Sequence, residues 1–328
     1  MNRWLGLSLG ILVTYAILAL DAGIASAQFD GYSTLERSVV NQRLAERGLV
    51  LDPEPEGKLI EDIQIATMDV FDERDPVPDL VNILHTTTRT RVIRRELLFD
   101  EGSRYQARLA DESARNLREL VQLSIVLIVT AQGSTPDRVR VLVITKDVWS
   151  LRLNWALQSS NAQINSLVLN PSEENLFGVH AIVAGLFILD PASYSLGLTL
   201  GHRRLDGSHV QVGVSASVIK NRDTGATEGS FGEFRYGQPL YSLDTKWSWG
   251  TSVLWRHDIE RRFLGIDVAT YDAPVTAQND RIPIAFNRDL LYGGYQLVRS
   301  FGQRFKNDLS IGIEAVRNVY NSPNLASY

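Results

Sequence analysis

The chain has 328 residues, no cysteine, 44% hydrophobic residues, and 33 Lys+Arg against 38 Asp+Glu, a formal net charge of −5. The lack of cysteine excludes a disulfide framework, a thiol nucleophile and a thiolate zinc site, and the mildly acidic balance excludes nucleic acid as a partner, because phosphate binding needs a basic footprint. Mean hydropathy of −0.08 excludes a bundle of membrane helices, but not a membrane barrel, whose strands alternate apolar and polar residues.

A single continuous apolar stretch runs from Leu5 to Leu20, after Arg3 and before Ala25-Ser26-Ala27. This is the layout of a secretory signal peptide over residues 1–27, with Ala25, Ala27 and Gln28 marking the cleavage site. The stretch contains Gly6-Leu7-Ser8-Leu9-Gly10, a G-x-S-x-G match. That motif needs a strand-turn-helix with Ser at a sharp bend, and a signal core supplies none.

In residues 28–58, Ser33 and Glu36 form a capping-box pattern ahead of Leu35, Val39 and Leu44, and Gly48 follows Arg47. Pro53 and Pro55, each followed by Glu, then break regular structure. The segment reads as a short, solvated spacer helix and a Pro/Glu linker.

Residues 59–147 read as a small α+β module. Leu59 to Phe71 carries Ile63, Ile65 and Val70 as a strand, and Arg91 to Phe99 is a short amphipathic helix before Gly102. Leu109, Leu117 and Leu120 recur near a 3.6 period among charged residues and give a second helix. Leu123 to Thr130 and Arg138 to Lys146 are strands joined by the turn Gly133 to Asp137. The order strand, helix, helix, strand, strand predicts a sheet with helices on one face.

The run Arg91 to Phe99, then Gly102, then Ser113 to Leu120, resembles a polypeptide-transport-associated (POTRA) domain. Val141 to Leu151 resembles the handover from such a domain into the β-barrel of the BamA/TamA-like outer-membrane assembly family, with its bacterial surface antigen barrel. The resemblance spans most of the mature chain. One departure is visible: there is a single such domain where several family members string more together.

From Trp149 the period becomes two. Trp149, Leu151, Leu153, Trp155 and Leu157 alternate with Ser150, Arg152, Asn154, Ala156 and Gln158. The same alternation runs through Tyr194 to Gly201, Val210 to Val218, Leu243 to Trp255 and Phe305 to Ala315, with Gly, Asn and Asp clusters between. Strands near ten residues long, with aromatic residues on the apolar side, fit a tilted bilayer crossing better than a soluble sandwich. The expected fold class is therefore an α+β POTRA domain (β-α-α-β-β) followed by an antiparallel transmembrane β-barrel over 148–328. At roughly 18 to 20 residues per strand and connection, that part supplies about nine or ten strands, where the resemblance implies about sixteen. No Arg-Gly-Phe or Arg-Gly-Tyr occurs, and Pro323 to Tyr328 is not an alternating strand, so the chain reads as a C-terminally truncated fragment.

The resemblance implies an outer-membrane protein that binds extended clients at its periplasmic domain and assists their insertion or passage. Leu123, Ser124, Ile125, Val126, Leu127, Ile128 and Val129 would be the client-binding edge strand, although their side chains fit core packing better. Trp149, Leu151, Leu153, Trp155 and Leu157 would be the first barrel strand, at the seam. Implied partners are the outer-membrane bilayer, unfolded or extended clients, and periplasmic or lipoprotein accessory factors. The alternative is a passive porin or surface antigen. No catalytic residue, cofactor or metal is expected. Ser208 and His209 are neighbours that point apart in an extended chain, and His85, His180, His202 and His257 lack ligand spacing. Arg89, Arg91, Arg94 and Arg95 read as a solvated face paired with Glu96, Asp100 and Glu101, ahead of a role against anionic lipid.

Overall fold

The computed structural model describes residues 31–70, 86–160, 163–275, 277–302 and 305–322. The expected signal segment, His85 and residues 323–328 lie outside them. Two compact units divide the described chain: residues 31–70 with 89–148, and residues 86–88 with 149–322.

The first unit contains α1 (Thr34–Glu46), β1 (Leu59–Met68), α2 (Thr90–Glu96), α3 (Ala107–Arg118), β2 (Leu123–Gln132) and β3 (Arg138–Asp147). The capping box forms, with Ser33 Oγ accepting from Glu36 N at 3.3 Å and the Glu36 carboxylate accepting from Ser33 N at 2.7 Å. The sheet order is β1-β3-β2, with β1 parallel and β2 antiparallel to β3. A parallel neighbour requires a long crossover, and α2 and α3 supply it. Both pack on one face, where Ile93, Phe99, Ala110 and Leu117 meet Ile60, Ile63, Val126, Val141 and Val143.

The opposite face overturns the expectation of helices on one side. Val39, Val40 and Leu44 of α1 are buried there against Leu127, Val129, Leu142 and Ile144, so α1 is a third layer and not a solvated spacer. The cause lies in β3, where Val141, Leu142, Val143 and Ile144 are all fully buried. A strand apolar on both faces must be covered on both.

The second unit is a meander of nine long strands: β4 (Leu151–Ser160), β5 (Gln163–Leu176), β6 (Ala181–Leu189), β7 (Ser193–His202), β8 (Gln211–Asn221), β9 (Thr227–Gln238), β10 (Trp247–Arg261), β15 (Ala285–Phe301) and β16 (Asn307–Asn321). Each pairs antiparallel with its neighbours, and β4 and β16 are the edges. Between β10 and β15 the connection holds two small hairpins, β11 (Phe263–Leu264) with β12 (Asp267–Val268), and β13 (Thr270–Tyr271) with β14 (Ile282–Pro283). That connection marks the far end of the sheet; the near end is where the chain enters β4. Trp149, Val210, Leu243, Thr245 and Phe305, expected in strands, lie just outside them.

Candidate membrane-facing surface and strand edges

Register carries one face across the sheet. Trp155 pairs with Leu169, Leu169 with Phe187, Phe187 with Leu196, and Leu196 with Val218. A second row runs Leu200, Val214, Phe234 and Val253, and a third joins Trp249, Leu297 and Ile311. The other face carries mainly small or polar residues, Asn154, Asn170, Ser195, Thr199, Ser215, Ser217, Ser252 and Gln296, with an apolar stretch at Val168, Ile188 and Ile219.

The apolar face is the one left uncovered. Trp155 is 67% and Ile313 72% exposed, and Leu153, Leu196, Leu198, Leu291 and Leu309 are exposed with them. A continuous apolar surface across nine strands far exceeds the few hundred Å² that a soluble monomer leaves in water. Its edges are marked chemically. At the near end the Arg299 guanidinium lies over the Trp247 ring at 4.6 Å and the Phe301 ring at 5.3 Å, and Tyr236 meets Trp249 edge-on at 5.2 Å. Toward the far end the cross-strand pair His257 and Asp289 shares a short hydrogen bond on the same face. Trp247 to Trp255 between these limits is about 26 Å of strand, which at a tilt near 40° is about 20 Å of thickness, close to a barrel's apolar band.

On the polar face at the far end, Asp258 is 6% exposed and accepts from Arg256 Nε at 2.7 Å and from Arg288 Nε and Nη2 at 2.9 and 2.8 Å. Arg288 also sits 3.0 Å from Glu260, and Arg256 lies 5.0 Å over the Phe231 ring. Arg261 grips Glu228 with two hydrogen bonds of 2.8 and 2.5 Å. These contacts tie β9, β10 and β15 together where the longest connection leaves the sheet.

At the near end, the β5–β6 turn holds a buried polar cluster. Phe177 and His180 adopt left-handed backbone with φ of 58° and 56°. Asn175 Nδ2 donates to Thr86 O at 2.9 Å and Thr88 Oγ1 at 3.0 Å, its Oδ1 accepts from His180 N at 3.0 Å, and Thr88 Oγ1 lies 3.0 Å from His180 Nε2. Residues 86–88 are thereby fastened to the turn. His180 shows no ligand spacing in the sequence, and its partner Thr88, 92 residues away, has no local signature.

The two edges of the large sheet are open. No described strand pairs with the outer side of β4 or β16. In a nine-strand meander both edges run in the same direction, so joining them directly would make a parallel pair. An all-antiparallel closure needs an odd number of further strands between them. Leu151, Leu153, Trp155 and Leu157 of the expected seam strand lie on the apolar face of β4.

The other expected site strand, β2, is also a sheet edge, but its outward groups are largely taken. Val126 O accepts from Arg118 Nη2 at 3.1 Å, Ile128 O from the Tyr32 hydroxyl at 3.5 Å and Thr130 O from Asp52 N at 3.0 Å, while Gln132 N donates to Val50 O at 2.8 Å. Burial pushes the Tyr32 phenol above its ordinary range, which keeps it protonated as a donor. Asp52, 2% exposed, is held by Lys58 Nζ at 2.7 Å and fixes the 50–52 segment beside β2. Leu127 and Val129 are core residues under α1, and Val126 is one under α3. Among the described residues no group of His, Asp and Glu side chains could hold a metal ion.

Fold and surface together define the class: an antiparallel meander with one apolar and one polar face, preceded by a small three-layer α/β module. Among solved structures the chain is similar to BamA from Haemophilus ducreyi lacking POTRA domains 1–3, at 15% identity and a TM-score of 0.43 over 78% of this chain and 48% of that one. It is similar also to CdiB from Acinetobacter baumannii, at 12% identity and a TM-score of 0.41 over 94% of this chain and 60% of that one. The chain thus spans about half the length of the first of these structures and three fifths of the second. No family model and no curated protein matches it.

Proposed function

We propose that this protein is an outer-membrane β-barrel protein of the assembly and translocation type, with its first unit a POTRA-like module in the periplasm that engages extended client polypeptides. The observation that carries the reading is the uncovered apolar face running across all nine strands of the large sheet. In water that face has no stable home; in a bilayer it is the solvent-exposed side, with the polar face turned to a lumen. The two open edges supply the remaining part of the reading, because unpaired backbone groups in hydrocarbon cost several kcal/mol each and demand pairing with further strands. β4 forms one side of that seam. No covalent chemistry is required. The small α/β module adds a rigid platform, and insertion or passage of a client needs only backbone pairing and a shielded path.

The test is depletion of the full-length protein in its own cell, followed by quantitation of other outer-membrane barrels. A fall in several unrelated barrels is the expected result. Unchanged barrel levels, with altered permeability to small solutes, would replace the assembly reading by that of a passive pore.

A further inference from the structure

β1 offers an edge quite unlike the occupied edge of β2. Beyond the bulge at Glu61, Ile63 turns its backbone groups away from β3, and the period of two along the strand puts Ile65 and Thr67 on the same outer edge. Ile63 is closed: its N–H donates to Glu101 Oε1 at 3.3 Å and its carbonyl accepts from Arg94 Nη1 at 3.1 Å. The outward N–H and C=O groups of Ile65 and Thr67 have no backbone partner among the described residues. Two consecutive open positions of a ladder remain.

The Arg94 contact seats α2 beside this edge. Arg91 and Arg95, four residues apart on α2, are exposed, as is Arg89 just before the helix. Two of the three carboxylates expected to neutralise them are withdrawn, and the third, Asp100, is exposed and in no ion pair among the described residues. Glu96 is buried, and Glu101 pairs with Arg94 at 2.5 Å, an interaction that holds the Glu101 carboxyl below its ordinary range. Among the described residues none of Arg89, Arg91 and Arg95 has an ion-pair partner.

We propose that this edge docks an extended acidic polypeptide segment, which adds a strand to β1 at Ile65–Met68 and sets its acidic side chains against Arg91 and Arg95. The inference rests on the reading of the first unit as a polypeptide-docking module and names the edge and the chemistry. Spacing supports it. Same-face side chains of a strand recur every 6.6 Å or so, and residues four apart on a helix are about 5–6 Å apart at Cβ, so acids at alternate strand positions meet both guanidinia. A lipid headgroup would satisfy the arginines but leave the alternating backbone groups of Ile65 and Thr67 unmet.

The experiment is fluorescence anisotropy of the full chain in detergent with a short labelled peptide of alternating threonine and glutamate. Matched threonine–glutamine and threonine–lysine peptides and phosphatidylglycerol vesicles serve as comparisons. The acidic peptide should bind best. The double variant Arg91→Glu/Arg95→Glu should weaken it by roughly tenfold at low salt and favour the lysine peptide. Thr67→Pro removes an N–H that the sheet does not use, so circular dichroism should be unchanged while binding also falls roughly tenfold. Binding that responds to the arginine variant but not to Thr67→Pro would overturn strand addition, as would vesicles competing fully with the peptide. Should the proline variant unfold, protection of the Ile65 and Thr67 amides from hydrogen exchange on peptide binding decides the same point. Equal affinity for the glutamine peptide would overturn the acidic preference yet leave a polypeptide-docking module standing, whereas no binding by any peptide would remove both.

Discussion

The two units solve opposite problems with the same side chains. In the first, Leu142, Ile144 and Val141 are withdrawn completely from solvent between helices on either side of β3. In the second, Leu153, Leu198 and Leu309 stand on the surface, while the face without them carries serine, glycine, asparagine and buried ion pairs. The first unit is a protein folded against water. The second is arranged for a surrounding that is itself apolar, where strand pairing must satisfy every backbone group and polar side chains turn away from the solvent. The difference teaches that burial must be read against the solvent of each region: an exposed leucine is a defect in one unit and the design of the other.

The largest expected effect comes from breaking the water-facing core. Leu142→Ala leaves a cavity at a fully buried site and should destabilise the first unit by about 2–5 kcal/mol. Denaturant titration followed by near-UV circular dichroism checks the loss, and the β signal of the second unit should persist. A neighbouring pair on β4 sharpens the same contrast. Leu153 and Asn154 are both exposed and adjacent, yet lie on opposite faces. Leu153→Arg should cost up to about 2–4 kcal/mol for folding in lipid vesicles, the range for a cation on the lipid face, which is largest at the bilayer midplane. Asn154→Arg should stay within about 0.5 kcal/mol, as surface substitutions usually do. Equal costs would mean that the faces have been assigned wrongly.

Much of this contrast is legible in the sequence because period and solvent are coupled. The alternation from Leu151 to Leu157 is a strict period of two, and the structure puts those leucines and Trp155 on one face. The unbroken run Val141 to Ile144 carried a second message that the alternation elsewhere obscured: a strand apolar on both sides needs two covering layers, and Val39, Val40 and Leu44 were the available residues. What the sequence could not reveal are contacts between distant segments. The occupation of β2 by Val50 and Asp52, the anchoring of Thr86 and Thr88 by Asn175, and the Asp258–Arg288 pairing join residues whose spacing has no local signature.

Asn175 gives an intermediate effect within the sheet unit. Its side chain spans Thr86, Thr88 and His180, and its removal leaves the Thr86 carbonyl and the Thr88 hydroxyl each short of a buried partner. Asn175→Ala should cost about 1–3 kcal/mol locally. Hydrogen exchange should show lost protection at residues 86–88 and the β5–β6 turn, while the central strands β8 to β10 keep theirs. An Asp substitution retains the acceptor for His180 N but loses the donor to Thr86 O, so it should restore protection at the turn alone.

The smallest effect lies at the start of the first unit and separates it from the second by pH. Glu36 accepts from the backbone and hydroxyl of Ser33, and these hydrogen bonds hold its carboxyl below the ordinary range. The Ser134 amide and Arg140 do the same for Glu61, and Arg94 with the Ile63 amide does so for Glu101. A carboxyl whose folded pKa is depressed contributes stability above its unfolded pKa, and that contribution is lost as pH falls through the ordinary carboxylate range toward the folded value. The first unit should therefore lose stability on acidification below about pH 4.5. Ser33→Ala should reduce its stability by about 0.5–2 kcal/mol at neutral pH but flatten that acid dependence only in part, since the backbone N–H of residue 33, the larger cause of the lowered Glu36 carboxyl, survives the change. Amide exchange of α1 across pH reads both effects, and an acid slope unchanged by Glu36→Gln would assign the pH response to Glu61 and Glu101 and not to the cap of α1.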